Sequence, residues 1–461
     1  MKDILVKDIT RICKGKLICG DEEEICENFV KDSREVNIGD IYLGIKGEKF
    51  NGADFYKEAL DNGAKGCILQ DIEISEEEIN TYKDKFIIIV ENVVKALQEI
   101  AAYKRSLYNI PVIGITGSVG KTSTKDMIAS VMATKYNVLK PEGNLNNEVG
   151  LPYTILKLKD HNALVVEMGM SGLGEISLLT NIAKPTTAVI TIIGSSHIGE
   201  LGSRENILKA KLEILEGLDE NGSLIINNDN DLLNSWNTNN QDNHKHITYG
   251  IENESNFIAK DIKVNENGST FVIELQGKEY TVEVPVAGKH FVYNSLAAIA
   301  VGLENGIEIE KIIEGISNFS LTKRRMEILK NQKNVTIIND CYNSSYESVK
   351  AALEYVSSLN ANRKIAVLGD VLELGEFSKT MHQKMGEEVI NNNIDILVTV
   401  GTEAKTIANT AKSKAENIEV YSFDNNENAS NLLKELMKEN DVILVKASHG
   451  MHFEEIVESI K

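Results

Sequence analysis

Two hydrophobic rhythms alternate along the chain. Short β-branched apolar runs read as buried strands, and longer stretches with apolar residues every three or four positions read as helices. In the first quarter, residues 32–47 predict a turn and then a strand with glycines at both ends. Asn51-Gly52 marks a second turn, and the spacing of Phe55, Ala59 and Leu60 predicts a helix over 54–62 that stops at Gly63. Strands are expected at 66–69 and 85–90, followed by a helix over 93–108. In the middle of the chain, strands are expected at 110–115, 163–168, 187–193 and 223–227, with helical segments between them. From 255 to 286 the pattern changes to strict alternation, as in Phe271-Val-Ile-Glu-Leu and Tyr280-Thr-Val-Glu-Val. Turns at 265–268 and 276–277 make this region antiparallel hairpins, and a helix is expected to start near Tyr293. The last third returns to strands at 335–339, 364–368, 396–400 and 442–445, alternating with helices.

Strands alternating with helices predict parallel sheets covered on both faces. The expected fold is α/β in three domains. Residues 1–108 form a small N-terminal α/β domain and 109–320 a central P-loop ATPase-like domain with a mostly parallel sheet. Residues 321–461 form a C-terminal Rossmann-like doubly wound domain.

The most informative stretch lies at the first strand of the central unit. There Ile110-Pro-Val-Ile-Gly-Ile runs into Thr116, Gly117, Ser118, Val119, Gly120, Lys121, Thr122 and Ser123, then into a helical pattern carried by Met127, Ile128, Val131 and Met132. Strand, glycine turn, Lys-Thr and helix make a phosphate cradle. Backbone N–H groups and the helix N-terminus face the anion, Lys121 neutralises it, and the Thr122 hydroxyl is placed for Mg²⁺. The glycine spacing is T-G-x-x-G-K-T, because the position five before Gly120 is Ile115 and the glycine falls at Gly117.

In parallel sheets, ligands gather at the carboxyl ends of strands. Glu167 ends the apolar run Leu164-Val-Val, and a carboxylate there needs a cation or a salt-bridge partner. His197 follows the next strand, where a loop histidine is as readily a surface residue. Asn144, Asn146 and Asn147 sit between Gly143 and Gly150, and they read either as ligand contacts or as turn formers. In the first unit, Ser33-Arg34 beside Lys46-Gly47 reads equally as an anion site or a solvated loop. No glycine-rich dinucleotide fingerprint opens either large sheet, which argues against NAD.

Composition narrows the partners. The 461 residues are 42% apolar and 26% charged, the balance of a soluble globular protein. No apolar run approaches the roughly 18 residues of a membrane span, and no signal peptide is expected at the N-terminus. The net charge of −20 argues against nucleic acid, yet one local nest can still hold a phosphorylated ligand. The five cysteines show no C-x-x-C pair and read as reduced thiols, which suits the cytoplasm.

Taken together, the motifs resemble the Mur ligases, the ATP-dependent enzymes that build the peptidoglycan stem peptide. The stretches that carry the resemblance span nearly the whole chain. They are Asp32-Ser-Arg34 with 39–47, the loop 116–122, 143–147, Glu167-Met-Gly169 and 197–202. Ala210-Lys-Leu-Glu-Ile214, Gly288-Lys-His290 with Asn294, Arg325-Met-Glu327, Asp340-Cys-Tyr-Asn343 and 368–376 complete the series. The order of these stretches is far more specific than any one of them. The resemblance is nearest to the branch that adds D-alanyl-D-alanine to a UDP-muramoyl tripeptide.

That resemblance implies a reaction and a set of roles. A substrate carboxylate attacks the ATP γ-phosphate to give an acyl phosphate, which an amine converts to an amide. Lys121 would hold phosphate, and Thr122 and Glu167 one Mg²⁺. His197 and Lys211 would serve a second Mg²⁺, with Lys211 matching the family's carbamylated lysine. Asn294 would face adenine, and Arg325 and Asp340 would reach the nucleotide from the third domain. Ser33, Arg34 and Lys46 would lie near the UDP sugar. Asn144, Asn146 and Asn147 would contact substrate, with Tyr342, Asn343 and Lys446 on the amine side. The implied enzyme is a cytoplasmic monomer acting on small molecules.

Three departures from the family's motifs fall in the third domain. Ser344-Ser345-Tyr346 stands where the family has Ala-Asn-Pro, Ala447-Ser448-His449 where it has Gly-Ser-Arg, and Arg324 where a glycine is usual. Arginine clamps a carboxylate bidentately and histidine does not, so these changes bear on amine choice. One rival reading keeps the ligase chemistry with other substrates, such as a folylpolyglutamate synthetase-like reaction; Asp32-Ser-Arg34 argues against that version. Another is a nucleotide-binding scaffold without catalysis, which the retained Lys121, Glu167, His197 and Lys211 oppose.

Overall fold

A computed structural model of the chain describes residues 3–239, 242–265, 268–415 and 417–461. Its strands form three large sheets and one two-stranded ribbon in which Ile4–Leu5 pairs with Ile25–Cys26. The first large sheet has the order Lys16–Cys19, Phe86–Ile89, Gly66–Leu69, Ile41–Leu43, Phe29–Val30, parallel except at Lys16–Cys19. The helix Val93–Ser106 follows it, started by the Asn92 side chain accepting from Lys95 N–H.

The second sheet has nine strands. Val112–Thr116 lies between Ala163–Glu167 and Thr187–Ile190, and beyond these lie Val138–Leu139 on one side and Ser223–Asn227, Lys245–Gly250 and Phe257–Asn265 on the other. These seven are parallel. Gly268–Leu275 and Lys278–Val284 add antiparallel at the edge, so the expected hairpins extend the same sheet. Asn265 pairs with Gly268, and the middle of the expected 265–268 turn, residues 266 and 267, lies outside the described residues. The continuous apolar runs of the inner strands are what burial on both faces requires. Helices Lys121–Met132, Lys289–Glu304 and Ile309–Ser317 pack together on this sheet.

The third sheet has the order Glu327–Lys330, Thr336–Asn339, Val442–Lys446, Lys364–Gly369, Ile396–Val400, Glu419–Phe423, parallel except for its first strand. Two of these strands, Glu327–Lys330 and Glu419–Phe423, were not expected. Both are edge strands whose residues are half-buried or exposed, which leaves a weak apolar signal. The expected strand over 187–193 ends at Ile190, because Ile193 is buried in a loop rather than in the ladder. The helix expected near Tyr293 begins at Lys289, and the helix expected over 93–108 closes at Ser106. The short helix Val6–Ile12 had not been expected either.

Register decides where the chemistry sits. Ile115 pairs with Glu167, Thr116 with Ile190, and Ile190 with Ile226, so these parallel strands end on one edge. The loops that follow them therefore open side by side.

Candidate active site

The phosphate loop is shaped by two glycines with left-handed backbone. Gly117 has φ +144°, and a Cβ there would stand 2.0 Å from Thr191 Oγ1. Gly120 has φ +85° and starts the helix Lys121–Met132. Neighbouring loops hold the turn in place. Ser118 N–H donates to Ile192 O at 2.8 Å, Gly194 N–H to Ser118 Oγ at 2.9 Å, and Thr191 Oγ1 to Val119 O at 2.6 Å. Lys121 Nζ folds over the loop and donates to Gly117 O at 2.8 Å.

Beneath the loop lies a compact polar cluster. Thr122 Oγ1 donates to Glu167 Oε2 at 2.9 Å, and Asn146 Nδ2 donates to Glu167 Oε1 at 2.8 Å. Glu167 is buried, and both of its carboxylate oxygens are satisfied by neutral donors. Of the two readings weighed for the Asn-rich loop, the turn is seen at Asn147, whose Oδ1 accepts from Gly150 N–H at 2.8 Å, while Asn146 instead holds Glu167. Asn144 contributes its carbonyl to Asn146 N–H at 2.7 Å.

Lys211, on the helix Arg204–Leu212, is 1% exposed and has no hydrogen-bond or ion-pair partner among the described residues. Burial pushes its ammonium well below the usual lysine range. The nearby Lys121 charge adds to this, and Glu167 opposes it. Burial also lowers Lys121, with Glu167 again opposing. Two lysines and one carboxylate therefore share a desolvated space, and an added anion would relieve it.

The third unit closes over this cluster. His197 Nδ1 lies 2.6 Å from Glu373 Oε2. The approach is too oblique for a hydrogen bond and leaves Nδ1 with this ion-pair contact alone. Contact with His197 holds the Glu373 carboxyl below its usual range. Ser195 Oγ donates to Glu347 Oε2 at 3.0 Å. Between the two units is a cleft lined by Lys121, His197, Asn343, Leu372, Ser448 and His449, among others.

Other expected residues gather nearby. Thr124 Oγ1 donates to Asn294 Oδ1 at 3.0 Å, which places Asn294 against the phosphate helix. The Arg325 guanidinium lies 4.1 Å from the Tyr342 ring centre, with Nε buried and without a hydrogen-bond partner. Asp340 accepts from Met326 N–H at 3.1 Å and from Lys446 Nζ at 2.6 Å, and Lys446 also donates to Asn343 O at 3.0 Å. The half-buried His290 ring lies tilted against Phe291, and desolvation lowers it to about 4 despite Asp340.

Ser33, Arg34 and Lys46 stand apart from this cluster. Their side-chain partners are Glu58, Asp32 and Asp71, all within the N-terminal unit. Among the described residues, no group of three or more His, Cys, Asp or Glu side chains is arranged to hold a metal. A cation here would take the Thr122 hydroxyl and the Glu167 carboxylate, hard oxygen donors that suit Mg²⁺ completed by water and phosphate. No described helix is long and apolar enough to cross a membrane, and all five cysteines are free.

Models of the Mur ligase family catalytic domain, the Mur ligase middle domain and the Mur ligase glutamate ligase domain match residues 29–105, 115–302 and 324–449. The chain belongs to the Mur ligase family. It is 39% identical over 460 residues to the UDP-N-acetylmuramoyl-tripeptide–D-alanyl-D-alanine ligase of Bacillus subtilis, covering 99% of this chain and 98% of that one. The enzyme of the same name from Escherichia coli is 30% identical over 469 residues, covering 100% and 99%. The solved MurF of Thermotoga maritima in complex with ADP superposes with a TM-score of 0.82 at 30% identity, covering 94% of this chain and 97% of that one. MurF from Acinetobacter baumannii gives 0.87 at 26%, covering 100% and 99%. This Mur ligase thus has the three-domain α/β fold of its relatives and is an ATP-dependent ligase.

Two residues of this Mur ligase were not singled out from sequence, Glu373 and Glu347. Both are acidic loop or helix-start residues in a chain rich in them. Only the closure of the third unit onto the second gives them His197 and Ser195 as partners.

Proposed function

We propose that the chain joins D-alanyl-D-alanine to UDP-N-acetylmuramoyl-tripeptide, using ATP and Mg²⁺, as a cytoplasmic monomer in peptidoglycan precursor synthesis. The observation that carries this reading is the Thr122–Glu167–Asn146 cluster under a Lys121 loop, with buried Lys211 beside it. The full-length similarity to ligases of that name supports the choice of substrates.

The proposed division of labour follows three units, residues 1–108, 109–320 and 321–461. Ser33, Arg34 and Lys46 bind the UDP sugar. Thr116 to Ser123 cradle the phosphates, and Lys121 exchanges its loop carbonyl for a phosphate oxygen. Asn294 faces adenine, while Arg325 and Asp340 meet the nucleotide from the third unit. Asn144, Asn146 and Asn147 border the acceptor, and Tyr342, Asn343 and Lys446 border the amine. Thr122 and Glu167 hold one Mg²⁺, and His197 and Lys211 serve the second. The Mg²⁺ that these residues would hold would supply positive charge where the carboxylate and the triphosphate, two anions, must meet. Lys211 leans toward what carbamylation requires, because burial lowers its ammonium and favours the free amine whose lone pair attacks CO₂.

The bond changes balance simply. A carboxylate oxygen of the tripeptide attacks the γ-phosphorus and ADP leaves. The dipeptide nitrogen then attacks the acyl carbon, phosphate leaves and the nitrogen loses a proton. Closure of the third unit keeps water from the acyl phosphate. Phosphate release measured with the sugar nucleotide, with and without D-alanyl-D-alanine, tests this. Release that needs both supports it, and release indifferent to the sugar nucleotide overturns it. A panel of other amines in the same assay tests the variant reading in which the third-domain departures change the amine.

A further inference from the structure

The loop over 371–375 touches two units at once. At its start it is tied within the third unit: Val371 N–H donates to buried His382 Nε2 at 3.1 Å, and Leu372 N–H donates to Ser448 Oγ at 2.9 Å. Ser448 lines the cleft on the side assigned to the amine. At its end the loop is tied to the second unit. Glu373 O accepts from Gly199 N–H at 3.1 Å, and Glu373 Oε2 lies 2.6 Å from His197 Nδ1.

The backbones meet closely there. A Cβ on Gly199 would stand 2.7 Å from Gly375 N and 2.8 Å from Glu373 O, so only glycine permits this docking. His197 and Glu373 both have left-handed backbone, at φ +62° and +64°. Non-glycine residues hold that conformation only where surrounding contacts fix it. Two such residues facing each other across a unit boundary, at ion-pair distance, mark a built contact.

We propose that Glu373 is a positioning residue for His197, delivered by the third unit, so that docking of the amine-side loop completes the phosphate-side site. The Glu373 carboxylate stands against the Nδ1 edge of the ring, 2.6 Å away, and fixes where that edge lies. Nε2 is the opposite edge of the ring, the one through which the imidazole would reach a cation. The loop couples the two half-reactions mechanically: the 371–375 segment that holds Ser448 also orients His197. This inference rests on the reading of His197 as a cation-side residue in the ligase reaction.

The test uses the full-length protein and the variants Glu373→Ala and Glu373→Gln. Hydrogen–deuterium exchange over 197–202 is measured without ligands and with ADP, and phosphate release is titrated with Mg²⁺. For Glu373→Ala, exchange over 197–202 should quicken and ADP affinity should stay within about twofold. The Mg²⁺ concentration for half-maximal rate should rise by about 10–100-fold, the usual effect of losing an outer partner of a metal ligand. Glu373→Gln keeps a side chain of the same length against the ring and should recover most of the rate and the protection. If Glu373→Ala leaves both the exchange and the Mg²⁺ requirement unchanged, the proposal is overturned. It is equally overturned if Gln is as damaging as Ala while thermal melting shows both folded. Should Ala fail to fold, Gln against wild type decides. A wild-type enzyme inactive with the sugar nucleotide would instead sink the assigned reaction, and the exchange result would still judge the contact.

Discussion

Thr122 Oγ1 and Glu167 Oε2 meet at 2.9 Å at the ends of two adjacent structural elements, the phosphate helix and the neighbouring strand. The pairing fixes side by side the hydroxyl and the carboxylate proposed to hold a cation. Glu167→Gln preserves the shape and the acceptor but removes the charge. It should lower kcat by roughly 10²–10³, the scale of losing one preorganised electrostatic group. Thr122→Ser retains the hydroxyl and should lose less than about tenfold on the same scale. Phosphate release over a range of Mg²⁺ concentrations measures both. Equal losses in the two variants would show that the charge at 167 is not the working feature.

Gly117 leaves no room for a side chain. Its φ of +144° and the 2.0 Å approach of Thr191 Oγ1 to a Cβ put both strain and overlap on Gly117→Ala. Thr191 cannot retreat without giving up its bond to Val119 O, which holds the loop. Gly117→Ala should therefore weaken ADP binding by at least about tenfold, a cost of roughly 1.4 kcal/mol. Titration calorimetry reads this directly, and unchanged affinity would mean the loop adjusts freely.

Lys211 gives a pH dependence whose sign can be worked out. Its folded-state ammonium is pushed well below 10.5, chiefly by burial. Between the folded and the unfolded value, the unfolded chain binds the extra proton, so stability rises with pH there. Lys211→Met removes the titrating group and should flatten that slope. Urea melts at about pH 7.5 and about pH 9.5 should show the wild type gaining stability relative to Lys211→Met at the higher pH. Loss of the gain would place Lys211 in a solvated site. The same variant should lose phosphate release under all bicarbonate conditions, whereas the wild type should respond to added bicarbonate.

The sheets were legible because inner parallel strands are buried on both faces. Runs such as Val112–Thr116 and Val442–Lys446 are entirely buried and carry a continuous apolar signal. Glu327–Lys330 and Glu419–Phe423 were missed because edge strands with mixed exposure lack it. Within the site, the phosphate loop could be read from spacing alone, since strand, turn and helix are contiguous. Lys211 could not: it is one helix lysine among many, and it came from the family resemblance. Asp340 and Lys446 are 106 positions apart and meet at 2.6 Å only because their strands are neighbours in the third sheet. Glu373 is a stronger case still. It lies in the 368–376 stretch that carries the resemblance, but its partner sits on a loop of another unit, so the pairing itself was not legible.

The proposed function puts amine choice in the third unit, where His449 lines a cleft with Lys121 and His197. Its ring lies 5.9 Å from Tyr342, whose ring centre is 4.1 Å from the Arg325 guanidinium, so the residues proposed for the amine and for the nucleotide share one aromatic side chain. His449→Ala removes the cleft-facing ring without touching the phosphate loop. It should raise KM for D-alanyl-D-alanine several-fold while ADP affinity stays constant, since truncating one polar contact costs about 1–3 kcal/mol at most. His449→Arg supplies a bidentate partner for a carboxylate and should lower that KM relative to Ala. Steady-state kinetics with saturating ATP and sugar nucleotide separates the outcomes. A rise in KM for ATP instead would show that Tyr342 transmits the change to Arg325, and that His449 acts on the nucleotide rather than on the amine.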